Sequence, residues 1–302
     1  MPLFGDTRNG KRFEQKDKSL IYRLFDAFVE SALVNDSAID FNTNVSIDSN
    51  QHYHFKNGKQ KFSSFLAFSN SKALKNSTAT SFLSMKALEK EINNKVNGRY
   101  TCRHRSDLNN LFAHLNWLWS LGIWQENAQE TTCGVFGENM NPPIQENSAA
   151  FPKDGLWSAG MGRIQKSRDF YWLCKLFGDY FNQNAIAGDV EMAKRDLERI
   201  CLSYNNKNPC AMENAILHFC NPNEHIHIFV PQIKRRILSD VINGIKMKNG
   251  RLFRLNFQFD KNDLKNKKVS VKDMDSGICR IYDELPDVDT YDAIMHKYFY
   301  KK

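Results

Sequence analysis

Apolar residues recur at helical spacing in most of the patterned segments of the chain. The clearest are SLIYRLFDAFVESALV (19–34), RDFYWLCKLFGDYFNQ (168–183) and DVEMAKRDLERICLSY (189–204), each with apolar residues on one side of a helix. A further helix is predicted in ATSFLSMKALEKEINNKV (79–96). The pattern therefore predicts a mainly α-helical protein of one or more helical domains.

The middle of the chain is rich in aromatic residues, because all five tryptophans lie between Trp117 and Trp172. SDLNNLFAHLNWLWSLG (106–122) predicts a helix with Ser106 as a candidate N-cap and Gly122 after its end. Its expected buried side consists of leucine and aromatic residues. These are Leu108, Leu111, Phe112, Leu115, Leu118 and Trp119.

The segment AMENAILHFCNPNEHIHIFVPQIKRRIL (211–238) raises the question of a metal site, because it holds three histidines and a cysteine. Asn221-Pro222 predicts the end of one helix and Pro231 the start of the next. The second helix carries an apolar stripe, and we expect Lys234, Arg235 and Arg236 to lie mostly off it. A structural zinc site needs four nitrogen or sulfur ligands, and no second suitable pair accompanies the histidines. The sequence therefore predicts no metal and no cofactor, with the histidines at a helix end and in a loop.

Shorter alternating patterns predict small β elements near 38–70 and 250–272, the latter from Leu252, Leu255, Phe257 and Phe259. Composition divides the chain into three predicted segments. They are a mixed N-terminal segment (1–100), an aromatic-rich helical core (101–245) and a basic tail with a strand and a C-terminal helix (246–302).

Composition favours a cytoplasmic protein that meets polyanions. The 302 residues carry a net charge of +8 with a pI near 9.0, a field that attracts nucleic acid. No apolar run is long enough to cross a bilayer, and the N-terminus does not resemble a secretory signal, so we expect no membrane contact. Seven cysteines without a C-x-x-C pair favour a reducing compartment.

The common catalytic motifs are absent from the sequence. It contains no G-x-x-x-x-G-K-[ST] loop and no G-x-S-x-G elbow, and Gly160 and Gly162 lack the third glycine of a dinucleotide fingerprint. Carboxylates at 189–198 and 273–289 could hold a divalent cation if they met in three dimensions, although a solvated face or a docking surface is the simpler interpretation. We therefore predict no catalytic residue.

Basic residues interleaved with aromatic ones are the remaining functional signal, because cations bind phosphates and exposed rings stack on bases. The cations near 246–254 flank Phe253 and Phe257. The predicted nucleic-acid-binding residues are Arg103, Arg105, Lys166, Arg168, Lys234, Arg235, Lys248, Arg251 and Arg254.

Three segments together resemble the helical N-terminal, regulatory region of McrB-like restriction ATPases of the AAA family. They are NLFAHLNWLWSLG, AFPKDGLWSAGMGRIQKSRDFYWLCKLFGDYF and NAILHFCNPNEHIHIFVPQIKRRIL, the last matching at Asn214, His218, Pro222, Ile228, Lys234 and Ile237. DELPDVDTYDAIMHKYFY resembles the linker that precedes the ATPase module. The resemblance covers 80–300 in patches, consists of packing patterns and carries over no catalytic residue.

The resemblance implies a detached regulatory region or a separate subunit that acts in defence against phage, because the chain ends where a Walker motif would begin. The resulting hypothesis is a non-enzymatic helical module that binds DNA and works with an ATPase or nuclease subunit. Two alternatives stay open: a divergent metal-dependent nuclease, and a pure assembly protein whose basic face meets an acidic partner.

Overall fold

The computed structural model describes residues 15–41, 45–66, 103–124, 157–158, 166–183, 188–206, 209–226, 231–246 and 250–284. For 15–19, 103–110, 112, 123–124, 157–158, 166–167 and 282 it describes the backbone alone. The chain forms two compact units that divide between Ile200 and Cys201. The prediction of a mainly helical protein is confirmed.

The N-terminal unit begins with α1 (Gln15–Phe28), which continues as a π-helical turn (Val29–Val34). A small antiparallel hairpin follows, β1 (Ser46–Ile47) and β2 (Tyr53–His54), and then a single helical turn, α2 (Phe62–Phe65). The β elements predicted near 38–70 are thus present but short.

Helix α3 (Arg103–Gly122) lies at the centre of this unit and contacts both α2 and α4 (Lys166–Asn182). Every side chain that the structure describes on α3 is buried, so the helix has no solvent-exposed stripe there. The backbone is already helical from Arg103, so Ser106 lies inside the helix and the predicted N-cap is wrong. A short parallel pair, β3 (Ile123–Trp124) with β4 (Trp157–Ser158), was not predicted.

Aromatic side chains fill the core of the N-terminal unit. The ring of Phe28 stacks on Trp117 at 5.8 Å and meets Phe62 edge-on at 5.9 Å. The indole Nε1 of Trp119 donates to Asp169 at 3.1 Å, which ties α3 to α4 inside the core. The unit ends in α5 (Val190–Ser203), in which the unit boundary falls.

The C-terminal unit contains α6 (Ala211–Cys220) and α7 (Pro231–Asn243), so the predicted helix end at Asn221-Pro222 and start at Pro231 are confirmed. A hairpin follows, β5 (Ile245–Lys246) with β6 (Leu252–Phe253), and then α8 (Lys261–Lys265) and α9 (Val271–Asp283). Helix α7 packs against α8 and α9. None of the described helices combines the length and apolar character that a membrane crossing needs.

The caps of the last two helices come from local side chains. Asp260 and Asp263 form a capping box at the start of α8, and the Ser270 hydroxyl accepts from the Asp273 backbone N–H at the start of α9. Between β6 and α8 the chain has no regular secondary structure, and its side chains are alternately exposed and covered from 253 to 259, as in an extended chain. The strand predicted near 250–272 is therefore limited to β6 and an irregular extended segment.

Candidate nucleic-acid interface

The hairpin β5–β6 presents a cationic surface in the C-terminal unit. Its register pairs Ile245 with Phe253 and Lys246 with Leu252. Because side chains alternate across a strand, the first pair is buried and the second is exposed, with Leu252 64% exposed. Arg251 beside it is exposed as well. One face of the hairpin is thereby anchored in the core and the other is presented to solvent.

Two features fix this hairpin to the end of α7. Gly244 joins the helix to β5 at φ +94°, a backbone conformation that glycine adopts without a steric penalty. Arg254, which is exposed, donates from Nη2 to the backbone carbonyl of Asn243, the last residue of α7, at 2.8 Å. A cation at a helix C-terminus also interacts favourably with the helix dipole. Residues 241–259 contain four cations and no carboxylate, so the charge of this segment is uniformly positive. We call Lys246, Arg251 and Arg254 the basic hairpin.

An open cleft of 560 Å³ lies beside the extended segment that follows the hairpin. The rings of Phe257 and Phe259 stack in parallel, with centroids 5.2 Å apart and an angle of 4° between their planes. The guanidinium of Arg280 lies over Phe257, 5.8 Å from its centroid. Lys268 and Asp273 contribute to the walls. We call this space the aromatic cleft.

Gly277 of α9 lies directly against Leu238 and the two rings. A Cβ there would lie 2.8 Å from Cδ2 of Leu238, 3.4 Å from Cζ of Phe259 and 3.5 Å from Cε1 of Phe257. A methyl group would therefore come too close to Leu238, whereas it would be in van der Waals contact with both rings. The glycine sets how closely α7, α9 and the extended segment approach.

The charges that line the aromatic cleft balance. Lys268 and Arg280 are opposed by Asp263 and Asp273. Both carboxylates accept hydrogen bonds from the chain itself: Asp263 from the backbone N–H of Asp260 at 3.2 Å, and Asp273 from the hydroxyl of Ser270 at 2.5 Å. The basic hairpin is positive, whereas the aromatic cleft has no excess of positive charge and is polar around two rings.

A buried polar network lies between α6, α7 and α9. The Lys234 side chain is fully buried, and its ammonium donates to Asn214 Oδ1 at 2.7 Å and to Asp275 Oδ1. The second carboxylate oxygen of Asp275 accepts from His225 Nδ1 at 3.3 Å, and His218 Nδ1 donates to the backbone carbonyl of His225. All of these side chains are at most 1% exposed. His218 and His225 thus serve internal hydrogen bonding, which supports their interpretation as part of the scaffold, and His227 lies outside the described residues.

Burial also changes the proton affinity of this network. It lowers the pKa of His218 to about 4, because an imidazolium would lose its hydration there. Burial likewise lowers the pKa of Lys234, and the adjacent Asp275 carboxylate partly opposes that effect. His218 is therefore neutral at pH 7, with its proton on the Nδ1 that donates to His225.

The structure brings some of the predicted binding residues together and separates others. Arg251 and Arg254 share the basic hairpin, and Lys248 lies outside the described residues. Arg168 is half-buried on α4. For three further predicted residues only the helical backbone is described: Arg103 and Arg105 on α3, and Lys166 on α4.

Two predicted binding residues do not lie on the surface. Lys234 is 0% exposed and Arg235 is 9% exposed, so the expectation that they lie off the apolar stripe is wrong. Their spacing explains the result, because Lys234 precedes Leu238 by four residues and Arg235 precedes it by three. Phe253 is also buried, which leaves Phe257 and Phe259 as the partly exposed rings of this segment.

Carboxylates of the predicted acidic stretch are likewise dispersed. Asp275 points into the core towards Lys234, Asp273 accepts from the hydroxyl of Ser270, and Glu284 pairs with Arg280 at 2.6 Å. Taken by itself, neither unit holds three metal-ligating side chains close together among its described residues. Residues 285–302 carry the rest of the stretch and lie outside the described part.

The sequence pattern did not indicate the roles of Lys268, Gly277 and Arg280. Arg280 and Gly277 are three residues apart, so they lie on one side of α9, but nothing local indicates that this side faces Phe257. No family model, curated protein or solved structure matches the chain, so the residues and their geometry carry the functional argument.

Proposed function

We propose that the chain is a non-enzymatic, basic helical module of a prokaryotic anti-phage, restriction-type defence system. It binds nucleic acid, DNA in the first place, in the cytoplasm, and works with an ATPase or nuclease subunit of the same system. The observation that carries nucleic-acid binding is the basic hairpin, which has exposed cations in a segment without carboxylates. Such a surface neutralises phosphates and releases counterions.

The exposed Leu252 adds to this argument. Leu252 is 64% exposed and lies between Arg251 and Arg254. Next to cations, it suits contact with sugar or base edges in a groove. The assignment to defence and the ATPase or nuclease partner rest on the resemblance of three segments to McrB-like regulatory regions.

Binding should be measured by fluorescence anisotropy with labelled single-stranded and duplex DNA across a salt series. The test variant is the double charge reversal Lys246→Glu/Arg251→Glu, and the control is Lys59→Glu on an exposed position of the N-terminal unit. Loss of two phosphate contacts should reduce the salt slope on duplex DNA by about 2 and weaken binding roughly tenfold to a hundredfold. The control variant should bind like the wild type.

Each other outcome assigns a different function. Equal binding by the double variant and the wild type would remove the hairpin from the interface. DNA cleavage with Mg²⁺ that EDTA abolishes would favour the nuclease alternative. Absence of DNA binding together with a stable complex with the partner subunit would favour the assembly protein. The defence role predicts lower phage plating when the chain is expressed with its neighbouring genes, and loss of that protection in the double variant.

A further inference from the structure

We propose that the aromatic cleft binds one unpaired base of a nucleic acid strand whose phosphates contact the basic hairpin. The inference rests on the proposed function and gives it a substrate class, single-stranded rather than fully paired DNA. A base inside a duplex has both faces covered, so only an unstacked base could use the rings of Phe257 and Phe259.

The basic hairpin and the aromatic cleft suit different parts of a nucleotide. Phosphates are anionic and suit the basic hairpin, whose segment carries four cations and no carboxylate. A base is neutral, flat and polar at its edges. Among the residues that line the aromatic cleft, Asp263 and Asp273 oppose Lys268 and Arg280, and Arg280 is also paired with Glu284, so the cleft carries no excess of positive charge. A free phosphate would meet two carboxylates there, whereas the amino groups of a base could donate to them.

The size of the aromatic cleft and the arrangement of its rings also suit a base. A volume of 560 Å³ lies in the range of small-molecule sites, and Phe257 and Phe259 are only half-buried. Their centroids are 5.2 Å apart in parallel planes, which leaves too little space for a base between them. The base would therefore stack on an outer face of the pair. Because the Arg280 guanidinium lies over Phe257, the ring left for stacking is that of Phe259.

The basic hairpin and the aromatic cleft are close to each other along the chain. Arg254 and Phe257 are three residues apart in an extended segment, which spans roughly 10 Å at about 3.3 Å per residue. Alternation along this segment places Arg254 outward and Phe257 towards α9. One strand can therefore contact the hairpin with a phosphate and reach the cleft with a neighbouring base.

The test compares Phe259→Leu with the conservative Phe259→Tyr, using a short fluorescein-labelled single strand of mixed sequence and its matched duplex. Leucine keeps apolar bulk but removes the stacking face, so single-strand affinity should fall roughly five- to a hundredfold while duplex affinity stays unchanged. Phe259→Tyr keeps the ring and should bind both ligands like the wild type. Hydrogen exchange of each variant checks that the unit remains folded.

A second measurement locates the base directly. A single strand that carries 5-iodouracil is crosslinked by light to the wild-type chain and digested with trypsin. Cleavage after Arg254 and Lys261 gives the peptide LNFQFDK (255–261), which holds both phenylalanines. The crosslink is expected in this peptide, and a crosslink found only elsewhere would overturn the inference.

The outcomes separate this inference from the proposed function. If Lys246→Glu/Arg251→Glu weakens both ligands and Phe259→Leu weakens neither, the cleft assignment falls and the nucleic-acid module stands. If only Phe259→Leu weakens single-strand binding, the cleft stands and the hairpin falls. If Phe259→Leu weakens both ligands equally, or the wild type binds neither, the base site is refuted.

Discussion

Replacing Lys234 with methionine should lower the free energy of unfolding by about 3–5 kcal/mol, the usual cost of breaking a buried ion pair from one side. The ammonium is 0% exposed and bonds both Asn214 and Asp275. Methionine fills a similar volume, so little of the loss would come from a cavity. The cost arises because the Asp275 carboxylate, 1% exposed, stays buried without its main cation.

The structure places this cost near the lower end of the range. His225 Nδ1 lies 3.3 Å from the second oxygen of Asp275 and can partly stabilise the remaining charge. Removing both charges should be far milder than removing one. We expect the free energy of unfolding of Lys234→Met/Asp275→Leu to lie within about 1–2 kcal/mol of the wild-type value, because two apolar side chains need no desolvation of charge.

Unfolding in urea is monitored through hydrogen exchange of the α7 and α9 amides, so the measured free energy belongs to the C-terminal unit alone. A control for charge loss is Glu284→Gln, which breaks the exposed Arg280–Glu284 pair, with side chains 49% and 44% exposed. Such pairs contribute about 0–1 kcal/mol. If Lys234→Met cost less than about 1 kcal/mol, or the double variant cost as much as the single one, the reasoning about buried charge would be refuted.

Two further predictions concern the same unit. Since the pKa of His218 falls from 6.5 to about 4 on folding, the unfolded chain binds more protons between these values, so stability should drop by about 3 kcal/mol as pH falls from 6.5 to 4. His218→Asn keeps a donor for the His225 carbonyl, so the variant should not show this loss of stability at acid pH. The check is its unfolding free energy as a function of pH beside that of the wild type. Parallel curves would contradict the lowered pKa of His218. Gly277→Ala should lower the free energy of unfolding in urea by about 1 kcal/mol, because overpacking against Leu238 outweighs the higher helix propensity of alanine. The control Ser276→Ala, on the exposed side of α9, should not lower it. A gain of about 1 kcal/mol for Gly277→Ala would contradict the close approach of Leu238 to Gly277.

The buried network could have been anticipated in part from spacing. Lys234 shares a helical face with Leu238 and Val241, and Asp275 shares one with Val271 and Ile278. Two opposite charges on two apolar stripes indicate a buried pair. The charge of each side chain predicts exposure to solvent, whereas its position on an apolar stripe predicts burial. In both helices the side chain is buried.

The end of α6, the start of α7 and the positive charge of the hairpin segment were determined by the sequence. Proline at 222 and 231 restricts the backbone around it whatever the tertiary context, and a run of four cations without a carboxylate stays positive in any fold. These properties are local, so local sequence contains their cause.

Tertiary structure alone decided which side chains meet. Phe253, Phe257 and Phe259 have the same parity along one extended segment, yet the first is buried and the other two line an open cleft. The difference depends on Gly277 and Arg280 of α9, some twenty residues further along the chain. Lys234 likewise finds Asp275 across 41 positions. Contacts at such separations form only when whole helices pack, because the packing of many side chains, rather than the preference of any one residue, fixes how α7 and α9 approach.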